Sequence, residues 1–165
     1  MHVTLRPLTM DDFDQVVEWS TDDRFCTANG WQTSRDVDEL RRWWHRCVSN
    51  TSRDFIRMGI ECAGRLVGYV DLAAIDGDRA EFGIAIGDSA SWGKGIGTLA
   101  AQRAVEHAAK MGIAVLDAET HETNVRSRAL LQKMGFAEVS RVGTEEYNGV
   151  AVRLIQCRLS LSKDP

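Results

Sequence analysis

The sequence has few cysteines, no basic excess and no long apolar run. Its four cysteines are widely spaced without a C-x-x-C pair, which argues against a zinc site and a disulfide framework. The net charge of −4 lacks the basic excess that nucleic-acid binding needs. No stretch approaches the roughly 18 apolar residues of a membrane span, and the first residues lack the apolar run of a signal peptide. We therefore expect a cytoplasmic protein with no metal, no nucleic-acid partner and no membrane partner.

The chain also lacks linkers, internal repeats and low-complexity segments. Its 165 residues include only two prolines, with 44% hydrophobic and 27% charged residues. This length and composition are typical of one globular domain with one buried core. We expect residues 1–165 to form a single domain.

The hydrophobic pattern predicts a mixed, mostly antiparallel sheet of seven strands, flanked by about four helices. Apolar residues recur at helical spacing after Thr9, the expected cap of the first helix, and again from about Arg35. The polar, glycine-containing residues 20–34 predict a loop between these helices. The Asn148-Gly149 pair predicts a C-terminal hairpin. The predicted order, β-α-α-β-β-β-α-β-α-β-β, is an α/β fold of the α+β type.

Three glycines at alternate positions precede one of the predicted helices. They lie in WGKGIGT, residues 92–98, which runs into the helix-forming segment TLAAQRAVEHAAK. Glycine is costly to order, so this cluster indicates a backbone that must approach a ligand closely. Because the N-terminal amides and the dipole of a helix favour an anion, the segment predicts a phosphate-bearing ligand.

Two other phosphate motifs compete for this segment. A Walker A loop is excluded, because Lys94 is followed by glycine rather than by serine or threonine. Gly95, Gly97 and Ala100 fit the G-x-G-x-x-A pattern of a dinucleotide-binding fold. That fold requires the glycines to follow a strand directly, whereas residues 88–91 intervene here. A glycine-rich turn without any ligand is a further alternative.

The segment and a second motif downstream resemble the GNAT N-acetyltransferase superfamily. Residues 92–98 look like the acyl-CoA pyrophosphate loop of that family, [RQ]-x-x-G-x-[GA], with Trp92 at the Arg/Gln position. Residues 124–136, NVRSRALLQKMGF, look like the family motif N-x-x-[SA]-x-x-L-Y-x-K-x-G-F. The two motifs stand in the family's order and at its usual separation. Tryptophan at position 92 is similar to the branch of ribosomal-protein N-terminal and spermidine acetyltransferases.

The resemblance implies an acetyl-CoA-dependent N-acetyltransferase that passes an acetyl group directly to a primary amine. It implies a sheet that splays between the fourth and fifth strands, with the pantetheine arm paired to the fourth strand. A homodimer is left open. The implied donor-binding residues are Ile84, Ala85, Ile86, Trp92, Gly93, Lys94, Gly95, Ile96, Gly97, Thr98, Asn124, Ser127 and Lys133.

Direct attack requires a neutral amine, and an alkylammonium of pKa about 10.4 must first lose a proton at a cost of roughly 4–5 kcal/mol at pH 7. Glu81, at the start of the fourth strand, is the first candidate for the general base, although a solvent-facing glutamate is the alternative. His121, at the end of the fifth strand, is the second candidate base or acid. Leu131 departs from the family, because many members carry a tyrosine there as the general acid. Ser127 or Tyr147 could replace it.

The sequence is compatible with several acceptors. By the resemblance, the loop between the first two helices walls the acceptor site, and it carries Asp22, Phe25 and Trp31. Aromatic rings beside carboxylates hold cations, which suits a polyamine, an aminoglycoside-like molecule or a protein N-terminus. A non-catalytic acyl-CoA-binding module on the same fold is the alternative function, and a Rossmann oxidoreductase is the third.

Overall fold

The computed structural model describes residues 1–147 and 149–161. Within these residues, five α-helices and eight strands follow one another. The helices are α1 (Phe13–Ser20), α2 (Asp23–Asn29), α3 (Val37–Val48), α4 (Ile96–Lys110) and α5 (Val125–Lys133). The strands are β1 (Val3–Arg6), β2 (Ile56–Cys62), β3 (Arg65–Asp76), β4 (Arg79–Ile86), β5 (Val115–His121), β6 (Ala137–Ser140), β7 (Thr144–Tyr147) and β8 (Val150–Ser160).

The strands form one mixed, mostly antiparallel sheet. Their order is β1-β2-β3-β4-β5-β8-β6, and β7 pairs with β8. In the described part of the chain, β4 and β5 are the one parallel pair, and the other pairings are antiparallel. The predicted fold class is therefore confirmed. A Rossmann domain is excluded, because that fold requires a sheet of mainly parallel strands.

The structure has one strand more than the seven predicted, because the segment after α5 divides into β6 and β7. Gly143 adopts a φ of +89°, which breaks the extended backbone. The Gln156 side chain accepts a hydrogen bond from the Val142 N–H at 2.8 Å and donates to the Val142 carbonyl at 2.8 Å. At Val142, between β6 and β7, these side-chain bonds take the place of backbone pairing with β8. β7 and β8 form the predicted hairpin, while Asn148 lies outside the described residues.

The prediction of a loop over residues 20–34 is wrong, because α2 lies within it and raises the number of helices to five. The Asp22 carboxylate caps α2 by accepting a hydrogen bond from the Phe25 N–H at 3.1 Å. Gly30 ends the helix with a φ of +69°. Phe25 and Cys26 are fully buried, so packing stabilises a helix whose sequence is otherwise polar.

Two cores lie on opposite faces of the sheet. Neighbouring residues of β3 enter different cores, since Tyr69 packs in one and Val70 in the other. The first core is covered by α4, which contributes four fully buried alanines: Ala100, Ala101, Ala104 and Ala108. The second core, beneath α1, α2 and α3, is built from large rings that include Trp19, Phe25, Trp44 and Tyr69. Small side chains therefore let α4 approach the sheet closely, whereas the opposite face is filled by aromatic groups.

β4 and β5 separate after a short paired stretch. Their pairing covers Arg79–Glu81 and Val115–Asp117, although β4 continues to Ile86 and β5 to His121. Beyond that stretch β4 stays paired with β3 and β5 stays paired with β8. The facing edges of β4 and β5 therefore have no strand partner among the described residues. This is the predicted splay.

Candidate active site

A cleft of about 330 Å³ opens where β4 and β5 separate. Its walls come from the end of β4, the glycine loop, the start of α4, one side of α5 and the last residues of α2, Ala28 and Asn29. Most of the residues implied for donor binding line it: Ile84, Ala85, Ile86, Trp92, Gly93, Gly95, Ile96, Gly97, Thr98, Asn124, Ser127 and Lys133. Lys94 is exposed and does not contribute to the lining. The fold thus brings separate segments of the sequence around one cavity.

The helix α4 begins at this cleft without a side-chain cap. Its N-cap residue is Gly95, which offers no side-chain hydrogen bond. By contrast, Asp22, Asp36 and Asn124 cap α2, α3 and α5 with their side-chain oxygens. The first amides of an α-helix have no acceptor within the helix. Those of α4 are therefore available to an anion at the wall of the cleft.

Two of the loop glycines are required by backbone conformation. Gly93 has a φ of +79° and Gly95 a φ of +87°, a region that side chains disfavour. A Cβ atom built on Gly93 would meet no other heavy atom within 4 Å, so the approach to this backbone is open. The loop therefore presents bare main chain to the cleft.

Trp92 and Asp22 hold the loop in place. The Trp92 Nε1 donates a hydrogen bond to the Ile86 carbonyl oxygen at 2.9 Å. The Asp22 Oδ2 accepts one from the Ser89 N–H at 2.7 Å, on the segment that precedes the loop. Burial alone would raise the pKa of Asp22, but hydrogen bonds from the backbone of Ser89 and Phe25 outweigh it and hold the pKa below its usual value. The loop is thus anchored both to β4 and to α2.

The three residues expected at the acceptor site have structural contacts. Both carboxylate oxygens of Asp22 accept backbone hydrogen bonds. The Phe25 ring is fully buried, with its centroid 5.0 Å from that of Trp31. The Trp31 Nε1 lies 3.4 Å from the Tyr69 hydroxyl oxygen. Among the described residues that line the cleft and its inner extension, none of these three is found.

An inner cavity of about 220 Å³ continues the cleft between β4 and β5. It shares Ile84 and Ser127 with the cleft, and His121 on β5 forms part of its wall. The His121 Nε2 lies 2.8 Å from the Glu145 Oε2 on β7. The Tyr147 ring stands edge-on to the imidazole with centroids 5.0 Å apart. The C-terminal hairpin therefore orients the imidazole at the inner end of the cleft.

Glu81 lies outside the cleft and the inner cavity. Its side chain is exposed and lines a separate depression with Asp117 and Glu119. Glu119 lines both this depression and the inner cavity that contains His121. Glu119 was not among the predicted site residues. The two-residue period of a strand could have indicated Glu119, because it places residues 117, 119 and 121 on one face of β5.

Leu131, which stands where many relatives have a tyrosine, is 4% exposed and also lines the inner cavity. It is an apolar wall that cannot supply a proton. Burial raises the pKa of Tyr147, so that phenol stays protonated at neutral pH. The hydroxyl that α5 lacks is therefore present on the hairpin beside His121.

Two arginines that the sequence analysis did not select converge on Trp92. The Arg126 Cζ lies 3.5 Å from the centroid of the Trp92 ring, and the Arg24 Cζ lies 5.2 Å from it. Arg126 lines the cleft. Burial, followed by the nearby charge of Arg24, lowers the pKa of Arg126. Arg126 lies inside the NVRS segment, so its charge was visible in the motif, whereas the approach of Arg24 was not.

Three further features of the described residues concern metal binding, membrane-spanning helices and the cysteines. Within residues 1–147 and 149–161, no three His, Cys, Asp or Glu side chains come together as a metal-binding group. None of the described helices combines the length and the apolar character needed to cross a bilayer. All four cysteines are free thiols.

Solved structures share this fold over nearly the whole chain. A spermidine N-acetyltransferase from Vibrio cholerae, in complex with CoA and spermine, has a TM-score of 0.81 at 21% identity, covering 96% of this chain and 95% of that one. The microcin C7 self-immunity acetyltransferase MccE, in complex with acetyl-CoA and AMP, has a TM-score of 0.85 at 17% identity, covering 96% and 92%. An N-acetyltransferase from Staphylococcus aureus Mu50 has a TM-score of 0.76 at 20% identity, covering 98% and 100%. At these identities the likeness establishes the fold.

The family follows from the sequence itself. No curated protein matches it. The family model of the acetyltransferase (GNAT) domain matches residues 2–137, which include both motifs that carry the resemblance. Since the match spans most of the chain, the resemblance is confirmed, and the chain belongs to the GNAT family of acetyl-CoA-dependent N-acetyltransferases.

Proposed function

We propose that the chain transfers the acetyl group of acetyl-CoA to a primary amine in the cleft between β4 and β5. The observation that carries the proposal is the meeting there of two sets of unpartnered backbone groups. One is the edge of β4 beyond Glu81, where the pairing with β5 ends, apart from the Ile86 carbonyl oxygen that accepts the Trp92 Nε1–H. The other is the uncapped N-terminus of α4. An extended amide-bearing chain that ends in a pyrophosphate satisfies both sets.

The residues of the cleft fit such a donor. The backbone of Ile84–Ile86 would pair with the pantetheine amides, and the amides of residues 96–98 would hold the pyrophosphate. The Asn124 Oδ1 already accepts the Ser127 N–H at 3.1 Å, so Asn124 would meet the donor through its side-chain NH₂ group. The donor supplies an activated thioester carbonyl, and the residues around the inner cavity handle the proton of the amine.

His121 is the first candidate for the general base, and Glu81 the second. His121 lines the inner cavity, whereas Glu81 lies in the neighbouring depression. When the imidazole donates Nε2–H to the Glu145 carboxylate, its lone pair is on Nδ1. Nδ1 is then the atom that accepts the proton of the attacking amine. Tyr147, protonated and in contact with the same ring, is the candidate acid.

The surroundings of the inner cavity favour a cationic acceptor. Glu119 lines the cavity, Glu145 contacts His121, and Glu81 lies in the adjoining depression. Carboxylates that line or adjoin a cavity attract alkylammonium groups by their opposite charge. The Vibrio cholerae enzyme of the same fold is described with spermine, a polycation. We propose a polyamine, an aminoglycoside-like molecule or a protein N-terminus as the acceptor class.

An acceptor panel tests the proposal. The purified chain is incubated with acetyl-CoA and with spermidine, spermine, an aminoglycoside or a short peptide with a free N-terminus. Released CoA is measured by chromatography, because the chain's own thiols would react with a thiol reagent. We expect turnover with at least one acceptor class. The same peptide with an acetylated N-terminus is the matched control.

Saturable binding of acetyl-CoA without CoA release on any amine would contradict the proposal. That outcome would instead favour a non-catalytic acyl-CoA-binding module. Absence of acetyl-CoA binding would contradict both.

A further inference from the structure

We propose that Arg24 and Arg126 form an arginine clamp that binds a phosphate group of the acyl donor across the mouth of the cleft. The arginine clamp consists of these two side chains and the Trp92 ring between their helices. The inference rests on the proposed function and deepens it. It assigns donor recognition to one residue outside both family motifs, Arg24, and to one variable position within the second motif, Arg126.

The two guanidinium groups come from different helices, and Arg126 lines the cleft. Arg24 lies in the first turn of α2 and Arg126 in the first turn of α5. Their Cζ atoms lie 5.2 and 3.5 Å from the centroid of the Trp92 ring. The charges are close enough that Arg24 contributes to the lowered pKa of Arg126, after burial. Both helices therefore direct a cation to the same side chain.

The framework around the arginine clamp is held by hydrogen bonds. The Trp92 indole is bound to the Ile86 carbonyl oxygen at 2.9 Å. The start of α2 is fixed to the preceding loop through Asp22 and the Ser89 N–H at 2.7 Å. Arg24 follows Asp22 by two residues, so the anchor that positions the loop also positions this arginine. A site that is organised before a ligand arrives loses less entropy on binding.

The charges of the arginine clamp are not balanced within the fold. Within the described residues, 1–147 and 149–161, neither Arg24 nor Arg126 forms an ion pair with a carboxylate. The ion pairs there use other arginines, such as Arg6, Arg57 and Arg158. Two neighbouring cations repel each other, and contact with an indole offsets only part of that cost.

A phosphate group is the anion that suits this arrangement. Guanidinium groups bind phosphate oxygens through paired, charge-assisted hydrogen bonds. Arg126 lines the same cleft as the uncapped amides of α4, so a ligand that reaches those amides also reaches Arg126. Acetyl-CoA carries phosphate in two places, the pyrophosphate and the ribose 3′-phosphate. Either group meets the chemistry of the arginine clamp, and the two are separable by experiment.

The test compares CoA with dephospho-CoA, which lacks the 3′-phosphate. Arg24→Gln, Arg126→Gln and the double variant are titrated with each ligand by calorimetry. Arg103→Gln is the matched control, because it removes the same charge from the exposed side of α4, where Arg103 pairs with Glu106. Unfolding in urea shows whether each variant keeps the stability of the unmodified chain.

We expect each single clamp variant to raise the Kd for CoA about tenfold, as the loss of a charged hydrogen bond does. The double variant should show a larger increase, while Arg103→Gln keeps the original Kd. If the Kd for dephospho-CoA is unchanged in the clamp variants, the arginine clamp binds the 3′-phosphate. If it rises equally, the arginine clamp binds the pyrophosphate.

Two results would overturn the inference. One is a double variant whose Kd for CoA stays within about twofold of the original, since that difference is below the value of one hydrogen bond. The other is an equal rise in Arg103→Gln, which would indicate a general effect of net charge. If the unmodified chain does not bind CoA, the proposed function fails, and that outcome is distinct from both.

Discussion

The two faces of the sheet differ in how their polar groups are satisfied. On the aromatic face, beneath α1, α2 and α3, polar groups find partners within the protein. The Trp44 Nε1 donates to the Thr9 carbonyl oxygen at 2.9 Å. Arg57 binds both carboxylate oxygens of Asp71, at 2.7 and 2.8 Å. At the cleft, in the part of the chain that the structure describes, the first amides of α4 have no side-chain cap.

This difference separates stability from function. Buried or enclosed polar groups normally have partners, and a group without one costs free energy. The aromatic face avoids that cost, so we interpret its rings and charged groups as having a structural role. At the cleft, the first amides of α4 have no side-chain cap and the exposed side chains of the arginine clamp have no carboxylate partner among the described residues, so both are free for a phosphate-bearing ligand. Substitutions on the two faces should therefore affect different measurements.

The largest expected effect is on the aromatic face. Trp44→Ala removes a side chain with 0% exposure and its hydrogen bond to Thr9. We expect the free energy of unfolding to fall by about 3–5 kcal/mol, as measured by urea denaturation. Trp43→Ala, which removes the partly exposed neighbouring ring, is the control and should cost less. If the folded Trp44 variant also binds acetyl-CoA much more weakly, the two faces are not independent.

The fold was predictable wherever one element carries its own periodic pattern. The helices α1 and α3 were predicted because their apolar residues recur on one face, and α4 was predicted from its helix-forming segment. The helix α2 was not, because only Phe25 and Cys26 are buried in an otherwise polar segment. The division of β6 from β7 depends on the contact of Gln156 with Val142. Such a long-range side-chain contact leaves no local signal in the sequence.

The next effect in size concerns the inner cavity. His121→Gln removes the proposed base, so kcat should fall about 100-fold while the Kd for acetyl-CoA is retained. Glu145→Gln keeps the imidazole but loses its carboxylate partner, so its kcat should fall less. Glu81→Gln, outside the cavity, should leave kcat close to the original. The opposite result, with a loss in Glu81→Gln and none in His121→Gln, would transfer the role to Glu81.

The donor side of the site was more predictable than the acceptor side. Gly93, Gly95 and the start of α4 are neighbours in sequence, so a local motif specifies their geometry. The acceptor residues were chosen from the position that the resemblance implies for their loop and from residue type, and Phe25 proved to be buried. Arg24 approaches Trp92 only because α2 packs beside the loop through Asp22. Contacts between distant segments were the part that no local pattern indicated.

A smaller effect, on the binding of acetyl-CoA, is expected from a substitution in the glycine loop. Gly95→Ala places a side chain at a φ of +87°, which should cost about 1 kcal/mol and displace the α4 amides. We expect the Kd for acetyl-CoA to rise about fivefold, because those amides are the proposed site of the pyrophosphate. Gly64→Ala is the matched control, since its φ is +75° and an added Cβ would meet nothing within 4 Å. Equal Kd values in the two variants would show that the loop amides do not contact the donor.

The smallest expected effect is at Asp22, the carboxylate that links the two regions. Asp22→Asn keeps an oxygen for one of the two backbone amides, Phe25 or Ser89, and places an NH₂ group against the other, so the free energy of unfolding should fall by about 1 kcal/mol at pH 7. The pKa of Asp22 is lowered in the folded state. Its stabilising effect is therefore complete above the unfolded pKa of about 3.9 and is lost as pH falls through the folded pKa. Urea unfolding from pH 7 to pH 2 should show the variant and the original converging at low pH, with Asp23→Asn as the charge-matched control. A difference that persists unchanged to pH 2 would assign the link to the shape of the side chain rather than to its charge.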